Sequence, residues 1–576
     1  MKIQIPVALK RRIESFQRNE GLVAAGNRLV NEDIVAVAGF PDTAVRLFDD
    51  WSVDPHGSRS WQWTVAAFRF MPSVIAHHAR SSDAGALEWA LQALRSWQKA
   101  VRGKLKRYEF ARNDHAVAAQ AENLVFLLAH LHMRELCLDA WEEIAAAIHR
   151  HADLLATEEF YSRHTNHGIE QARVLAVIAD FFPDDPRSQS RMTLAMDRLV
   201  DELDFAFTQE GVHVENSPGY HVYACLSFLK IRDYFPQAEI ALLADRIDEF
   251  MPRAIRYLVH VSRPDGSLPV IGDTVAEPVP TYFRRYRATR DYAHLRYAAT
   301  DGAEGVPSPQ TTALYPKAGY FIARDAWYPP GEGRKAFHLI FRCGYRSRYH
   351  RHDDDLNLVL YCDGEDWLVD SGAYNYAEQD PVRRYMRSKW AHNVPVVAGA
   401  AADRWEWDPP PTSLPLLRIP STRAITSVRG VSHSYPGHVA MRDLHVHPVA
   451  RTFTVVDSLV QPGKPVPRDY LSLWHVPSDK VVRIEEQQVI VESRASGRRL
   501  VVDNLGRRAT RIGLVDPDIP GVEGAVVSRA ANRKEPAHLV AFEWSASHLH
   551  SMLRFRLLDP EEADVGSPAV QSDKET

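Results

Sequence analysis

The sequence predicts an α+β chain of more than one domain, with helices in residues 1–308 and antiparallel β-structure in residues 309–576. Three observations support this. Apolar residues recur every three or four positions through the first half. Short apolar runs bounded by Gly, Pro and Asp fill the second. Between them, Asp301–Gln310 follows neither period and is interrupted by Gly302, Gly305, Pro307 and Pro309.

The first long stripe is Ala86–Ala100, where Leu87, Leu91, Leu94 and Trp97 line one face. Asn113-Asp114 reads as a cap before Ala116–Met133, which Val117, Leu124, Leu127, Leu128 and Leu131 make apolar. Further stripes cover Leu136–His149, Ile169–Phe182, Arg191–Phe207, Ala224–Tyr234 and Ile240–His260. Helices in succession with short connections imply a bundle, solenoid or toroid. In the second half the predicted strands are Tyr320–Ala323, Phe337–Arg342, Leu356–Tyr361, Trp367–Val369, His438–Val446, Arg451–Val460, Val481–Ser493 and Arg499–Asn504, a set suited to stacked antiparallel sheets. The polar tail after about Glu561 is expected to fray.

Composition narrows the function. With 69 Lys+Arg against 74 Asp+Glu the net charge is −5, which argues against nucleic-acid binding on a broad basic face. No unbroken apolar run of about 18 residues is present, so no membrane-spanning helix is expected. A secretory signal would place roughly 7–15 apolar residues after its basic start. Here Met1–Pro6 leads into Lys10-Arg11-Arg12 and a mixed polar segment. A cytoplasmic protein is expected, or a periplasmic or secreted one if the native start differs. Cys137, Cys225, Cys343 and Cys362 lie far apart without a Cys-x-x-Cys pair and read as reduced thiols. The 26 histidines and 13 tryptophans are types common where carbohydrate or metal is handled.

Three clusters could carry chemistry. Asn166-His167-Gly168-Ile169-Glu170 opens a helix, either as a plain N-terminus with Asn166 as cap or as a presented site. Glu215–Tyr223 reads as a helix–helix loop around Pro218 and Gly219, and its Tyr220-His221 pair serves either packing or proton transfer. In Tyr349-His350-Arg351-His352-Asp353-Asp354-Asp355, running into a strand, the two imidazoles would share a face. With Asp370 after the next strand and with His392, they offer nitrogen and carboxylate donors of the kind that bind zinc, or they are solvated histidines beside an acidic edge.

Taken together, His350-x-His352-x-Asp354, Leu368-Val369-Asp370-Ser371-Gly372-Ala373-Tyr374, and Arg383–Ser388 up to His392-Asn393 resemble the heparinase II/III-like family. Asn166-His167-x-x-Glu170 and Ser217-Pro218-Gly219-Tyr220-His221 resemble helical-domain motifs of the same polysaccharide lyases and of related alginate lyases. The similarity runs in order from roughly residue 60 to 480. It implies an incomplete (α/α) toroid followed by an antiparallel β-sandwich. It also implies cleavage of 4-linked uronate glycans by β-elimination, leaving a 4,5-unsaturated uronate. In this resemblance Asn166 neutralises the uronate carboxylate, Tyr220 is the acid and, in syn elimination, also the base, and His167 and His350 sit on the two sides of the sugar. Glu170, His221, Tyr374 and Arg387 match substrate-binding positions, and His352, Asp370 and His392 match ligands of a structural Zn2+. The implied partner is an acidic polysaccharide or oligosaccharide, with no organic cofactor, nucleic acid or membrane. The chain departs from the family pattern at Asp355-Leu356-Asn357, and the Asp353–Asp355 run predicts an acidic entrance ill suited to a heavily sulfated chain. Two other readings compete: an (α/α)-toroid glycoside hydrolase using Glu170 and Glu215, and a non-catalytic or biosynthetic glycan-binding protein.

Overall fold

The computed structural model describes residues 3–103, 107–236, 240–398, 414–464 and 466–560. The predicted frayed tail lies outside these residues. Two compact units emerge, one of residues 1–206 and 224–249, the other of residues 207–223 and 250–576. The last helix of the helical half ends at Ala299 and the first strand of the large sheets begins at Thr312.

In the first unit, burial sorts the helices into two layers. Met71–Ser81, Asp114–Met133 and Asn166–Phe181 are buried over most of their surface; 15 of the 20 residues of Asp114–Met133 and 13 of the 16 of Asn166–Phe181 are buried. Ala84–Val101, Trp141–Ala156 and Ser188–Ala206 bury one stripe each. Inner and outer helices alternate along the chain, which is an incomplete (α/α) toroid. Asn113 caps the inner helix as expected, its side chain accepting from Ala116 N at 2.9 Å. The helices Val7–Phe16, Glu20–Glu32 and Arg59–Ala66 are not among the predicted elements, although Leu9, Ile13 and Phe16 of the first keep helical spacing and are buried.

Among the described residues the second unit carries three antiparallel sheets. A five-stranded meander runs Thr312–Tyr315, Tyr320–Arg324, His338–Arg342, Asn357–Cys362, Glu365–Leu368. An eight-stranded sheet is ordered Lys480–Glu485, Gln488–Ser493, Arg499–Asn504, Leu549–Leu558, Thr452–Val460, Val439–His447, Thr426–Ser432, Leu416–Arg418. The predicted strand Val481–Ser493 is thus a hairpin, turned at Glu486-Gln487. The third sheet orders Arg511–Leu514, Arg533–Ala546, Arg468–Pro477 and Pro395–Val397, with Ala525–Ala530 also paired to Arg533–Ala546. Phe341, Trp367, Leu444, Phe453, Trp474 and Phe555 belong to one core built from all three sheets. All four cysteines are free thiols, and Cys225, Cys343 and Cys362 are buried. Among the described residues no helix is long and apolar enough to cross a membrane.

Arg442 crosses this core. Its guanidinium pairs with Asp457 on the neighbouring strand through two bonds of 2.6 and 2.7 Å, and donates to Leu356 O and Asn393 O at 2.6 Å each. Both side chains are fully buried. Removing one partner of such a pair strands a buried charge, so Arg442→Ala is expected to lower the unfolding free energy by about 3–5 kcal/mol. A urea midpoint matching the wild type would contradict this role.

Candidate active site

The residues predicted for chemistry fall into two groups, one in each unit. In the first unit, Thr165 rather than Asn166 caps the helix, its Oγ1 accepting from Gly168 N at 3.1 Å; Asn166 is the first helical residue and half-buried. Gly168 is required by close approach, since a Cβ there would lie 2.5 Å from Ser162 O. His167 Nδ1 lies 2.9 Å from Asp114 Oδ2, and its ring stacks on His115 with centroids 4.5 Å apart. Burial opposes ionisation of Asp114, but the bonds from His167 and Ser162 hold its carboxyl below the usual range, so the imidazole N–H donates and Nε2 faces away from the carboxylate. Glu170 was expected to bind substrate. It is instead buried among Arg173 (2.7 Å) and Ser227 (2.9 Å), and although burial favours its neutral form, Arg173 and Lys230 bring it down to about 2. Glu215 is buried as well, and neither carboxyl suits the open acid/base pair a hydrolase needs.

In the second unit, the predicted loop at Pro218 is the start of helix Pro218–Tyr234, where proline's missing N–H has no intrahelical partner to lose. Tyr220 therefore sits in the first turn. Thr274 Oγ1 fixes that turn by bonding Ser217 Oγ at 2.7 Å and accepting from Gly219 N at 3.1 Å. The Tyr220 hydroxyl is 3.1 Å from that of Tyr376, and its ring stacks on His350 with centroids 3.5 Å apart. Burial, reinforced by Tyr376 and Asp273, pushes the Tyr220 phenol well above its ordinary pKa.

His350 and His352 do not share a strand face, because the strand begins only at Asn357 and His350 stands in a turn with φ 52°. They converge on Asp273. His350 Nδ1 lies 2.8 Å from Asp273 Oδ2, and His352 Nε2 lies 2.9 Å from Oδ1. The Arg383 fork grips the same carboxylate at 2.6 and 3.0 Å. Burial opposes the Asp273 charge, yet these N–H groups hold the carboxyl well below its usual range. Asn216, itself at φ 61°, pins the loop before His350 by donating to Ser347 O and Tyr349 O at 2.7 and 3.0 Å.

Other expected contacts are corrected by the structure. His221 is a buried core histidine, accepting from His213 N at 3.2 Å and bonding Ala254 O at 3.1 Å. Arg387 is buried and ion-paired to Glu378, leaving Arg383 as the arginine at the site. Tyr374, at φ 61°, packs against the core that includes Tyr385 and Met386, and Tyr376 is the tyrosine that meets Tyr220. The Asp353–Asp355 run is no acidic entrance: all three side chains are buried. Asp354 pairs with Arg342. Asp355 accepts from Ser432 Oγ, Ser434 Oγ and Gly344 N. Asp353 lies 3.4 Å from Arg351.

The expected metal residues are close but differently engaged. His392 Nδ1 is 2.9 Å from Asp370 Oδ2, an oxygen that also accepts from Asn357, while Asp370 Oδ1 accepts from Gly372 N at 2.9 Å. The His352 and His392 rings are 5.5 Å apart, and His352 Nδ1 and His392 Nε2 are buried without a hydrogen-bond partner. Among the described residues no three His, Cys, Asp or Glu side chains are gathered as a metal-binding set. The two bare imidazole nitrogens suit a zinc ion; the Asp370 carboxylate is occupied by its hydrogen bonds.

Sequence reasoning missed Asp273, Asp114 and Tyr376. Asp273 had a faint signal, a lone Gly-Asp-Thr directly after the apolar Leu268–Ile271.

Residues 11–294 match the model of the heparinase II/III N-terminus, and residues 307–551 match that of the heparinase II/III-like C-terminal domain. The chain belongs to the heparinase II/III-like family. A heparin-sulfate lyase of Bacteroides stercoris is 23% identical over 402 residues, covering 62% of this chain and 58% of that protein. One from Pedobacter heparinus is 22% identical over 287 residues, covering 46% and 41%. The matches thus span about half the length of these relatives. Among solved structures, a heparinase III superposes with TM-score 0.77 at 15% identity over 94% of this chain and 85% of the other. A heparan sulfate lyase from Pedobacter heparinus gives 0.63 at 17% identity over 94% and 83%. The heparinase II/III-like fold therefore extends over nearly the whole chain.

Several imidazoles of this heparinase II/III-like chain are kept neutral. Burial lowers His115 to about 4, and His130, His221 and His475 to about 3. Unfolded, each titrates near ~6.5. Below that pH the unfolded chain takes up protons that the folded chain refuses, so this stability is complete above about 6.5 and declines as pH falls toward 3–4. The urea midpoint should drop between pH 7 and pH 5. His221→Gln should flatten the dependence by up to about 1.4 kcal/mol per pH unit, one proton's worth. An equally steep profile in the variant would show that His221 is not a buried neutral group.

Proposed function

We propose that this chain is a polysaccharide lyase that cleaves 4-linked uronate glycans, glycosaminoglycans foremost, by β-elimination. The observation that carries this is the Tyr220–His350 stack: a phenol held protonated lies against an imidazole whose Nδ1 is tied to a buried carboxylate. The family relationship and the heparin-sulfate lyases among its relatives support the same reading.

The chemistry assigns the parts. The uronate C5 proton becomes acidic when its neighbouring carboxylate is neutralised by a hydrogen-bond donor, the role that the family resemblance gives to Asn166. An imidazole then accepts the C5 proton; His350, stacked on Tyr220, does so through Nε2, and for the other configuration at C5 the resemblance gives this role to His167. The C5–H electrons form the C4=C5 double bond, the C4–O bond breaks, and Tyr220 protonates the departing oxygen. A phenol with a raised pKa stays loaded for this donation, and the same shift disfavours the phenolate it would need to act as base. Arg383 takes no direct part, being committed to Asp273.

The test is appearance of the ultraviolet absorbance of an unsaturated uronate on incubation with heparan sulfate, chondroitin, hyaluronan and alginate. Tyr220→Phe keeps the ring on His350 and removes only the hydroxyl, so turnover should fall by at least ~10²-fold with little change in melting temperature. Near-normal turnover would remove Tyr220 as the acid.

We also propose a structural Zn2+ held by His352 Nδ1 and His392 Nε2, with Asp370 orienting the His392 ring through Nδ1 in place of the ligand role expected for it. The support is the two buried imidazole nitrogens without partners and the match of donor types to zinc. Bound there, the ion would tie the loop of His352 to the segment of His392, and no step of the elimination runs through it. Elemental analysis should find about one zinc per chain, and chelation should lower the wild-type melting temperature but leave that of His352→Ala unchanged. Protein that purifies free of metal and does not respond to added zinc would eliminate the site.

A further inference from the structure

We infer that Asp273 is a positioning residue for the reaction proposed above: its buried carboxylate fixes the His350 ring with Nδ1 protonated and Nε2 unprotonated, and Arg383 holds that carboxylate in place. The inference rests on the lyase reading for its kinetic consequence, and on geometry alone for its structural one.

Asp273 is fully buried and each of its oxygens is engaged twice. Oδ2 receives His350 Nδ1 and one arm of Arg383, and Oδ1 receives His352 Nε2 and the other arm. An ionised carboxylate only accepts, so both imidazoles must present N–H to it. For His350 this removes a choice of tautomer. A free imidazole divides its proton between two nitrogens; this one offers its lone pair at Nε2, on the side away from Asp273, where Glu215 Oε2 lies 3.8 Å from it. Arg383 cannot shift to release the carboxylate without losing its own bond to Ala373 O at 2.9 Å, and its helix is capped by Asp380, which accepts from Val382 N at 2.8 Å. The neighbouring residue extends the effect. Thr274 anchors the Ser217–Gly219 turn that carries Tyr220, so two consecutive side chains of one loop set the positions of both His350 and Tyr220. Gly272 lets this loop pass close to its neighbours: at φ 55°, a Cβ would lie 3.0 Å from Asn216 O.

Two measurements test this. The first does not depend on activity. Long-range 1H–15N spectra of the histidine rings, with the His350 signals identified by their loss in His350→Gln, should show the Nδ1–H form in the wild type and a mixed or reversed form in Asp273→Asn. A wild-type ring protonated at Nε2 overturns the inference, whatever the variants do. The second uses turnover. Asp273→Asn should lower kcat by roughly 10–100-fold while KM changes little, the usual scale for a group that orients a functional ligand or base. In a His350→Gln background the same change should cost little more, because the residue it positions is already gone. A full additional loss in the double variant would place its effect on His352 or Arg383 and overturn the assignment. Asp273→Glu, which keeps the charge facing Arg383 and displaces it by one methylene, provides the same kcat-against-KM comparison if Asp273→Asn does not fold. Wild-type protein inactive on every uronate polymer would refute the lyase reading, and the ring spectrum would still decide the geometry.

Discussion

A carboxylate with no access to water must be surrounded by donors, and the active-site half of the second unit is organised by that requirement at Asp273. Four N–H groups meet it, from a turn at His350, a loop at His352 and the helix Pro381–Arg387. None of these segments is a strand; one backbone bond, from Asp353 N to Arg387 O at 2.9 Å, ties the His352 loop to the helix, and the shared carboxylate gathers all three. Desolvating a carboxylate is costly unless its bonds are complete, so every partner is held to one geometry. The first unit uses the same device on a smaller scale, where Asp114 orients His167.

The large elements were legible in the sequence because they obey simple periods. Arg499–Asn504 matches its predicted bounds, and the helices Ala84–Val101 and Asp114–Met133 begin and end within a few residues of the stripes that predict them. The N-terminal helices were missed although Leu9, Ile13 and Phe16 keep helical spacing, because the stripe of the first spans only about two turns. In Arg533–Ala546 the alternation covers only part of the strand, and pairing with a distant partner places it; Leu549–Leu558 alternates throughout, with Leu549, Leu553, Phe555 and Leu557 buried, and was legible but missed.

The site was legible as a set of residue types and much less as contacts. Tyr220 and His350 could be picked out, since their motifs keep them together with turn-forming neighbours. The roles of Glu170, His221, Arg387 and Asp353–Asp355 could not be read, because a buried charge with an internal partner and an exposed one awaiting substrate look the same in one dimension. Glu170 has Arg173 one helical turn away, a pairing that sequence spacing allowed. Asp355 finds its serines nearly eighty residues away, which no local pattern announces.

Asn216 and His350 both hold left-handed backbone angles without being glycine. Each such residue costs about 1–2 kcal/mol relative to an ordinary conformation, so the turn around the stacked rings sits above its local energy minimum and is retained only because side-chain bonds over-determine it. Evolution toward greater thermal tolerance would find easy gains here, by glycine at either position, and each gain would trade away an anchoring amide or an imidazole. The region is therefore where stability and activity compete for the same atoms, and it is the part of the chain least free to drift while the sheets behind it vary.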